Sequence, residues 1–407
     1  MDIQLTAPER MVGEVSLPAS KSISNRALII GALCSPSGSV SHIAECDDTR
    51  AVQQALAGSG NSIDVGAAGT AMRFLTAYFA VQPGRTVTLD GTPRMRQRPI
   101  GVLVDALRSL GAGIEWLGRE GYPPLRVAGR ALRGGRLSID GSVSSQYISA
   151  LLMIAPLLRG GLDLRINGLL TSRPYVEMTL SLMRQWGAEA QMHHGRIVVA
   201  EGRYKPQSMA VEADWSAASY WYAMQSLLPE SRISLKGLRR PSVQGDSRIA
   251  DIAWTLGVDS CACGVCTDLH TSCRHTAIVD EDLSSTPDIA QTLAVWLCLL
   301  GVPYRLAGLH TLRIKETDRI LALQTELLKL GYAVETGDDF MAWNGQVSAA
   351  SAAPRIATYH DHRMAMAFAP ASIKFPGLVI DDAGVVSKSY PQFWQHLAQC
   401  GFVVRQV

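Results

Sequence analysis

The stretch Pro18 to Leu28 reads PASKSISNRAL, and the prediction of the fold starts from it. Ser20 is a residue type that caps helix N-termini, and residues 28–33 are apolar throughout. A helix that is apolar on every face is buried on every side. Its start offers free N–H groups and the positive end of the helix dipole, to which the sequence adds Lys21, Ser22 and Arg26. We therefore expect a buried helix whose N-terminus binds a phosphate or a carboxylate. For this stretch alone, a capped core helix with incidental basic residues is the alternative.

The composition limits the kind of protein. A chain of 407 residues is long enough for two or three domains, and 47% apolar with 18% charged residues is typical of a globular protein. A net charge of +2 gives no general attraction for nucleic acid or a membrane surface, so any positive site is local. The chain starts without a signal-peptide pattern, and its eight cysteines indicate reduced thiols. We expect a cytoplasmic protein that binds neither nucleic acid nor a membrane.

A similar unit of sequence occurs six times. Each unit has an almost wholly apolar helix, a β-rich run, a charged loop and an amphipathic helix, which reads as βαβαββ. The first unit looks shortened, because its helix starts only about 50 residues before the next one, against about 70 for the later units. The apolar helices are predicted to begin near Ser20, Thr70, Ser145, Ser216, Pro287 and Asp361. Amphipathic helices are predicted at Ile100–Leu110, Tyr175–Trp186 and Thr317–Leu330, and strands at Thr86–Leu89, Leu162–Ile166, Arg232–Leu235 and Leu378–Ile380.

Six such units predict an α/β protein of the α+β type, with two domains of three units each. The inner helices are expected to be buried and the sheets to lie outside them. The fourth unit starts near Val211–Ser219, which places the domain boundary there.

Charged and hydroxyl side chains collect at the helix starts and in the adjoining loops. So many cations near helix N-termini, in a protein of almost zero net charge, indicate a cleft for two multiply charged small molecules. Asp288 and Glu316 lie among the cations and could act as general bases. An N-cap for Asp288 and an ion pair with Lys315 or Arg319 for Glu316 are the alternatives.

Eight motifs, in order and in spacing, give the chain a close resemblance to a known family. They are PASKSISNRA, GTAMR, RQRPIG, DGSVSSQ, SRPY, PDIA, KETDR and DHRMAM, and they extend over nearly the whole chain. The sequence resembles the 5-enolpyruvylshikimate-3-phosphate synthases. The resemblance implies two pseudo-threefold domains joined by two crossover segments, with residues 16–213 forming one domain and residues 1–15 and 214–407 the other. It also implies carboxyvinyl transfer from phosphoenolpyruvate to shikimate 3-phosphate, in a monomer without cofactor or metal.

The same resemblance implies a role for individual residues. Shikimate 3-phosphate would be bound mainly by the N-terminal domain, and phosphoenolpyruvate and the catalytic acids would belong to the C-terminal side. The implied catalytic residues are Lys21, Asp288 and Glu316. The implied shikimate 3-phosphate residues are Lys21, Ser22, Arg26, Ser144, Ser145, Gln146, Ser172, Tyr175, Asp288, Thr311 and Lys315. Those implied for phosphoenolpyruvate are Lys21, Gly69, Arg98, Gln146, Arg319, Arg363 and Lys388.

Three positions depart from the family pattern. Ala67 and Thr311 stand where the family has asparagine, and Thr311 can still donate one hydrogen bond. Phe74 stands where many members have proline. We hypothesise that Phe74 changes the packing of the phosphoenolpyruvate pocket and, with it, the sensitivity to glyphosate.

Other functions are less well supported. A UDP-N-acetylglucosamine enolpyruvyl transferase would have a reactive cysteine in the loop that is Arg94–Arg98 here, and this loop has none. An RNA 3′-terminal phosphate cyclase would use a nucleophilic histidine, and the histidines at a candidate site, His360 and His362, belong to the DHRMAM motif instead. A non-catalytic phospho-metabolite sensor would not need the two acids. The cysteines between Cys261 and Cys273 do not have a regular zinc spacing, so we expect a surface hairpin there.

Overall fold

The computed structural model describes residues 1–34, 38–142 and 144–407. The chain forms two compact units, which we call the N-domain (Ala19–Val211) and the C-domain (Met1–Pro18 with Glu212–Val407). The chain passes from one unit to the other after Pro18 and again after Val211. Two strands, β1 (Ile3–Thr6) and β2 (Val12–Ser16), therefore belong to the C-domain although they start the chain. In the described ranges, no helix has the length and apolarity needed to cross a membrane.

The N-domain contains six α-helices and three sheets among its described residues. The helices are α1 (Lys21–Leu33), α2 (Asp47–Ala57), α3 (Gly69–Ala80), α4 (Gly101–Ser109), α5 (Ser145–Ile154) and α6 (Arg173–Gln185). The strands are β3 (Ser39–Ser41), β4 (Ser62–Asp64), β5 (Thr86–Asp90), β6 (Gly113–Trp116), β7 (Leu125–Ala128), β8 (Arg133–Asp140), β9 (Arg159–Asn167), β10 (Ala190–His193), β11 (Arg196–Val199) and β12 (Ser208–Ala210). They form the sheets β4-β5-β7-β6, β10-β11-β9-β8 and β12-β3.

The C-domain repeats the plan with three four-stranded sheets. Its helices are α7 (Trp215–Leu227), α8 (Ile249–Thr255), α9 (Ala290–Leu300), α10 (Arg319–Lys329), α11 (His362–Phe368) and α12 (Phe393–Gln399). Its other strands are β13 (Arg232–Lys236), β14 (Val258–Cys263), β15 (Cys266–Thr271), β16 (Val279–Asp282), β17 (Tyr304–Ala307), β18 (Glu335–Thr336), β19 (Phe340–Trp343), β20 (Arg355–Ile356), β21 (Leu378–Ile380) and β22 (Val403–Gln406). The sheets are β14-β15-β13-β2, β16-β17-β19-β18 and β20-β21-β1-β22.

Each four-stranded sheet has one parallel pair, and antiparallel pairing joins its remaining strands. In the second of the six repeated sequence units, β4 and β5 are parallel, and β7 lies antiparallel between β5 and β6. Helix α3 connects the parallel strands and α4 leads to the antiparallel ones, which is the predicted βαβαββ order. The first unit is shortened as predicted: among the described residues its sheet has only β3 and β12.

The helices that connect parallel strands are buried on all faces. In α3 every residue from Gly69 to Ala80 except Thr70 is buried, and α9 is buried from Ala290 to Leu299. By contrast, α4 buries only Leu103, Val104 and Leu107, which lie on one face. Within each domain the buried helices contact one another: α3 contacts α1 and α5, and α9 contacts α7 and α11. A helix that is apolar on every face needs such a central position. An amphipathic helix can lie outside it, with its apolar face against the buried helices.

Several predicted helix starts differ from the observed ones by a few residues. Helix α3 begins at Gly69, and α7 begins at Trp215 because Asp214 caps it by accepting from the Ser216 N–H at 2.9 Å. A 3-10 turn, Pro287–Ile289, precedes α9. Helix α10 begins at Arg319, two residues later than predicted, because the side chain of Asp318 caps it.

Candidate active site

The first buried helix positions Lys21 against an acid that the sequence reasoning missed. Lys21 is the first residue of α1, and its Nζ lies 3.2 Å from Oδ2 of Asp48 in α2. The Asp48 side chain is only 5% exposed and that of Lys21 is 15% exposed. This ion pair fixes the direction of the ammonium at the helix N-terminus. The two acids at the start of α2 are visible in the sequence, but nothing there shows that one of them faces Lys21.

Arg26 is a buried guanidinium held by neutral groups. It is 2% exposed, and its Nε donates to Thr179 Oγ1 at 2.7 Å while Nη2 donates to Ser149 Oγ at 3.1 Å. Nη1 donates to the carbonyl of Ser22 at 2.9 Å. Burial lowers the pKa of Arg26 to about 10, so it stays charged at neutral pH. Within the described ranges Arg26 has no ion pair with a carboxylate, which favours an anionic ligand.

Two aromatic rings lie beside the same guanidinium. The Arg26 Cζ is 5.2 Å from the ring centroid of Phe74 and 5.8 Å from that of Tyr175. Both distances are in the range of cation–π contacts. The structure thus places Phe74, fully buried in α3, next to a residue expected to bind shikimate 3-phosphate.

Hydroxyl groups stand at the starts of α5 and α6. Ser144 caps α5 by accepting from the Gln146 N–H at 3.3 Å, and Ser145 is buried behind it. The Gln146 side chain donates to Thr70 Oγ1 at 3.0 Å and so links α5 to α3. Ser172 precedes α6 with φ of 53°, a left-handed conformation that is costly for serine and is common at functional sites. Val143, in the DGSVSSQ motif, lies outside the described residues.

Gly69 allows two guanidinium groups to approach the start of α3. A Cβ at this position would lie 2.6 Å from Arg98 Nη1 and 2.7 Å from Arg73 Nη1. Arg73 Nη1 donates to the Gly69 carbonyl at 2.8 Å. Arg98 is 9% exposed, and its Nε has no hydrogen-bond partner in the described part of the chain. Two cations and a helix N-terminus make this a strong anion site.

In the C-domain, Arg319 lies at the centre of a cluster of three carboxylates. Its Nε lies 2.7 Å from Asp361 Oδ2, its Nη1 3.3 Å from Asp288 Oδ1 and its Nη2 3.1 Å from Glu316 Oε2. Burial lowers the pKa of Arg319, but the three carboxylates, led by Asp361, outweigh it and raise the pKa above its ordinary value. The guanidinium is therefore permanently charged.

Asp288 and Glu316 each contact a second cation. Arg363 Nη2 lies 2.9 Å from Asp288 Oδ2, and Lys388 Nζ lies 2.8 Å from Glu316 Oε1. Lys315 Nζ is 3.9 Å from Asp288 Oδ1. The ion pair between Glu316 and Arg319 is one that the sequence offered as the alternative to a catalytic role. Both acids nevertheless share their cations with other carboxylates of the cluster. Four cations around Asp288, Glu316 and Asp361 leave positive charge to attract an anion.

Thr311 is in the 3-10 helix His310–Ile314. Its Oγ1 is buried and has no hydrogen-bond partner among the residues that the structure describes. A buried hydroxyl without a partner costs free energy, so it is available to a ligand. Ala67, the other departure from the family pattern, is exposed.

The cysteine-rich segment forms the predicted hairpin. It consists of the antiparallel strands β14 and β15, in which the backbone of Cys263 lies opposite that of Cys266 beside the turn. Cys261, Cys263 and Cys273 are exposed. Throughout the described ranges, no group of three or more His, Cys, Asp or Glu side chains is arranged to hold a metal ion.

Comparison with known proteins gives the family. Residues 5–61 and 51–397 match the sequence model described as EPSP synthase (3-phosphoshikimate 1-carboxyvinyltransferase). The chain belongs to the EPSP synthase family. A 3-phosphoshikimate 1-carboxyvinyltransferase from Bacteroides fragilis is 49% identical over 405 residues, which is 98% of each chain. One from Shewanella halifaxensis is 36% identical over 423 residues, covering 96% of this chain and 97% of the relative.

Solved structures of EPSP synthases have the same fold. That of the Acinetobacter baumannii protein superposes with a TM-score of 0.79, at 20% identity and with 100% of both chains covered. This match confirms the predicted fold class. Membership of the EPSP synthase family also confirms the resemblance on which the site residues were predicted, and favours it over the UDP-N-acetylglucosamine enolpyruvyl transferases.

Proposed function

We propose that this protein transfers the carboxyvinyl group of phosphoenolpyruvate to the 5-hydroxyl of shikimate 3-phosphate and releases phosphate. The observation that carries the proposal is the C-domain cluster, where Asp288 and Glu316 lie among Arg319, Arg363, Lys315 and Lys388. Cations alone would serve for binding an anion. Carboxylates kept among them supply the base that a transfer reaction needs.

Shikimate 3-phosphate is assigned mainly to the N-domain. Arg26 offers its phosphate a buried positive charge that neutral groups hold in place. Tyr175 lies beside that guanidinium and is assigned to the shikimate ring. The other assigned residues are Lys21, Ser22, Ser144, Ser145, Gln146 and Ser172 from the N-domain and Asp288, Thr311 and Lys315 from the C-domain.

Phosphoenolpyruvate needs several cations, because it has a phosphate and a carboxylate. Gly69 and Arg98 supply a helix N-terminus and a guanidinium. Arg319, Arg363 and Lys388 supply the cations of the C-domain cluster. Lys21 and Gln146 are assigned to both substrates.

The reaction is an addition followed by an elimination. The 5-hydroxyl oxygen bonds to the enol carbon while Asp288 accepts the hydroxyl proton, and the methylene carbon gains a proton to give a tetrahedral intermediate. The new methyl group then loses a proton as the bond between carbon and the phosphate oxygen breaks, and the electron pair of that bond leaves with phosphate. Lys21 and Glu316 are assigned to the proton transfers at the methylene carbon and the phosphate. The cations stabilise the departing charge.

Phosphate release tests the proposal. Purified protein is given phosphoenolpyruvate with either shikimate 3-phosphate or UDP-N-acetylglucosamine as the acceptor. Release with shikimate 3-phosphate alone, lost in Lys21→Ala and Asp288→Ala, is the expected result. Phosphate release with the sugar nucleotide would assign the protein to the UDP-N-acetylglucosamine enolpyruvyl transferase reaction. No phosphate release with either acceptor would favour a non-catalytic phospho-metabolite sensor.

A monomer in the cytoplasm remains the prediction for the assembly and compartment. A sedimentation velocity experiment at micromolar concentration measures the molar mass in solution, and the mass of a dimer would contradict the predicted monomer.

A further inference from the structure

Asp246 is a buried acid of the C-domain to which the proposed reaction assigns no role. It lies in the 3-10 turn Gly245–Arg248 and is 4% exposed. The Ser216 hydroxyl donates a hydrogen bond to its Oδ2. Its Oδ1 is buried and has no hydrogen-bond partner among the described residues. A carboxylate with one hydrogen bond and one bare buried oxygen is poorly stabilised as an anion.

The charges that face Asp246 come from three neighbouring elements. Asp288 lies in the turn before α9, Asp214 caps α7 and Arg363 belongs to α11. Burial and the charge of Asp288 raise the pKa of Asp246 to about 7, although Arg363 and the Ser216 hydrogen bond lower it. Two acids against one arginine favour the protonated form of Asp246.

Ser216 joins Asp246 to the candidate active site. Arg363 Nη2 lies 3.4 Å from Ser216 Oγ and 2.9 Å from Asp288 Oδ2. The same guanidinium nitrogen is therefore shared by the Ser216 hydroxyl and the proposed base. The backbone holds Ser216 in place, because its N–H is bonded to the Asp214 side chain at 2.9 Å.

We infer that Asp246 is a positioning residue which, as a neutral acid, holds Arg363 against Asp288 through the Ser216 hydroxyl. An uncharged Asp246 leaves the charge of Arg363 to Asp288 and to an anionic ligand. An ionised Asp246 would compete for that charge and would repel the ligand. This inference rests on the proposed function, in which Arg363 binds phosphoenolpyruvate.

The test compares Asp246→Asn with wild type between pH 6 and pH 9. The readout is the ratio of kcat/KM for phosphoenolpyruvate, variant over wild type, in which the titration of the shared substrates cancels. Asparagine imitates the neutral acid at every pH, while the wild-type acid ionises as the pH rises. We expect a ratio that rises by about tenfold across this range. A ratio that stays flat or falls with pH would overturn the inference.

A matched control is Asp251→Asn, the same change at an exposed acid of α8. Its ratio to wild type should not change with pH. Ser216→Ala removes the hydroxyl between Asp246 and Arg363, so it should raise KM for phosphoenolpyruvate more than it lowers kcat. A purely structural role would lower stability and leave that KM unchanged, which would also overturn the inference.

Unfolding by urea tests the state of Asp246 without any substrate. The folded pKa of about 7 is above 3.8, the ordinary pKa of an aspartate, so the native protein binds an extra proton between these pH values. The contribution of Asp246 to wild-type stability should therefore fall as the pH rises from 4 to 7, and the free energy of unfolding of wild type minus that of Asp246→Asn should decrease over this range. If wild type releases no phosphate, the proposed function has failed, and this readout still decides whether Asp246 is neutral. An identical pH dependence of the free energy of unfolding in wild type and Asp246→Asn would overturn the inference that Asp246 is neutral.

Discussion

The Nε of Arg319 donates to Asp361 Oδ2 at 2.7 Å, and the two side chains are 2% and 0% exposed. Asp361 also caps α11 by accepting from the Arg363 N–H at 2.9 Å. One buried carboxylate thus fixes the central guanidinium of the cluster and the start of the helix that carries Arg363. The Arg319 Nη1 donates to Asp288, and Nη2 donates to Glu316 at 3.1 Å and more weakly to Asp361 Oδ1 at 3.4 Å.

Asp361→Asn should lower both stability and activity. It removes the charge that pairs with a fully buried guanidinium, and breaking such a pair costs about 3–5 kcal/mol when no other acid compensates. Because Asp288 and Glu316 remain, we expect a loss of about 2–3 kcal/mol in the free energy of unfolding. Urea denaturation measures it, with Asp280→Asn at an exposed position of β16 as the control. A loss no larger than that of the control would contradict the assigned role.

Asp48→Asn should reduce kcat by about tenfold, because a catalytic group that is no longer held in position loses one to two orders of magnitude in rate. The ion pair of Lys21 and Asp48 is the restraint that is lost. Asp47→Asn is the matched control, since the neighbouring Asp47 is 54% exposed and pairs with Arg50 at the surface. Steady-state phosphate release compares the three proteins. Equal kcat in both variants would show that Asp48 does not position Lys21.

Phe74→Leu should raise KM for shikimate 3-phosphate by about fivefold, because it removes an aromatic face worth about 1 kcal/mol to the buried Arg26. Phe79→Leu is the control: it lies on the same helix, is equally buried and has its ring beside Arg85, 4.9 Å from Cζ. A rise confined to KM for phosphoenolpyruvate would contradict this and support the hypothesis made from the sequence. In that case Phe74→Pro should also change inhibition by glyphosate.

The sequence predicted the repeat and the buried helices because their signals are local. A helix that is apolar on every face, such as α9, must be buried on all sides in a globular protein and therefore lies at the centre of its domain. The missing strands of the first unit were visible as a short interval between helix starts, and the structure has a two-strand sheet in the described part of that unit. The start of α10 was predicted at Thr317 and lies at Arg319, because the side chain of Asp318, rather than the residue chosen from the pattern, caps the helix.

The partners of the site residues could not be predicted in the same way. Thr179 is 153 residues from Arg26, and Asp246 is 30 residues from Ser216. Such pairs depend on how segments that are distant in the chain pack against one another, and a single sequence contains no signal for that packing. Motifs identify a charged residue, but only the packed structure shows which neutral or acidic group holds it.

The most direct test of carboxyvinyl transfer follows the phosphorus atoms of both substrates by NMR spectroscopy. With phosphoenolpyruvate and shikimate 3-phosphate, we predict that the phosphoenolpyruvate signal is replaced, one for one, by inorganic phosphate. The phosphate ester on the shikimate ring should persist, and Asp288→Ala should leave both substrates unchanged. Inorganic phosphate that arises from the shikimate ester, or phosphoenolpyruvate that is not consumed by wild type, would contradict the assignment.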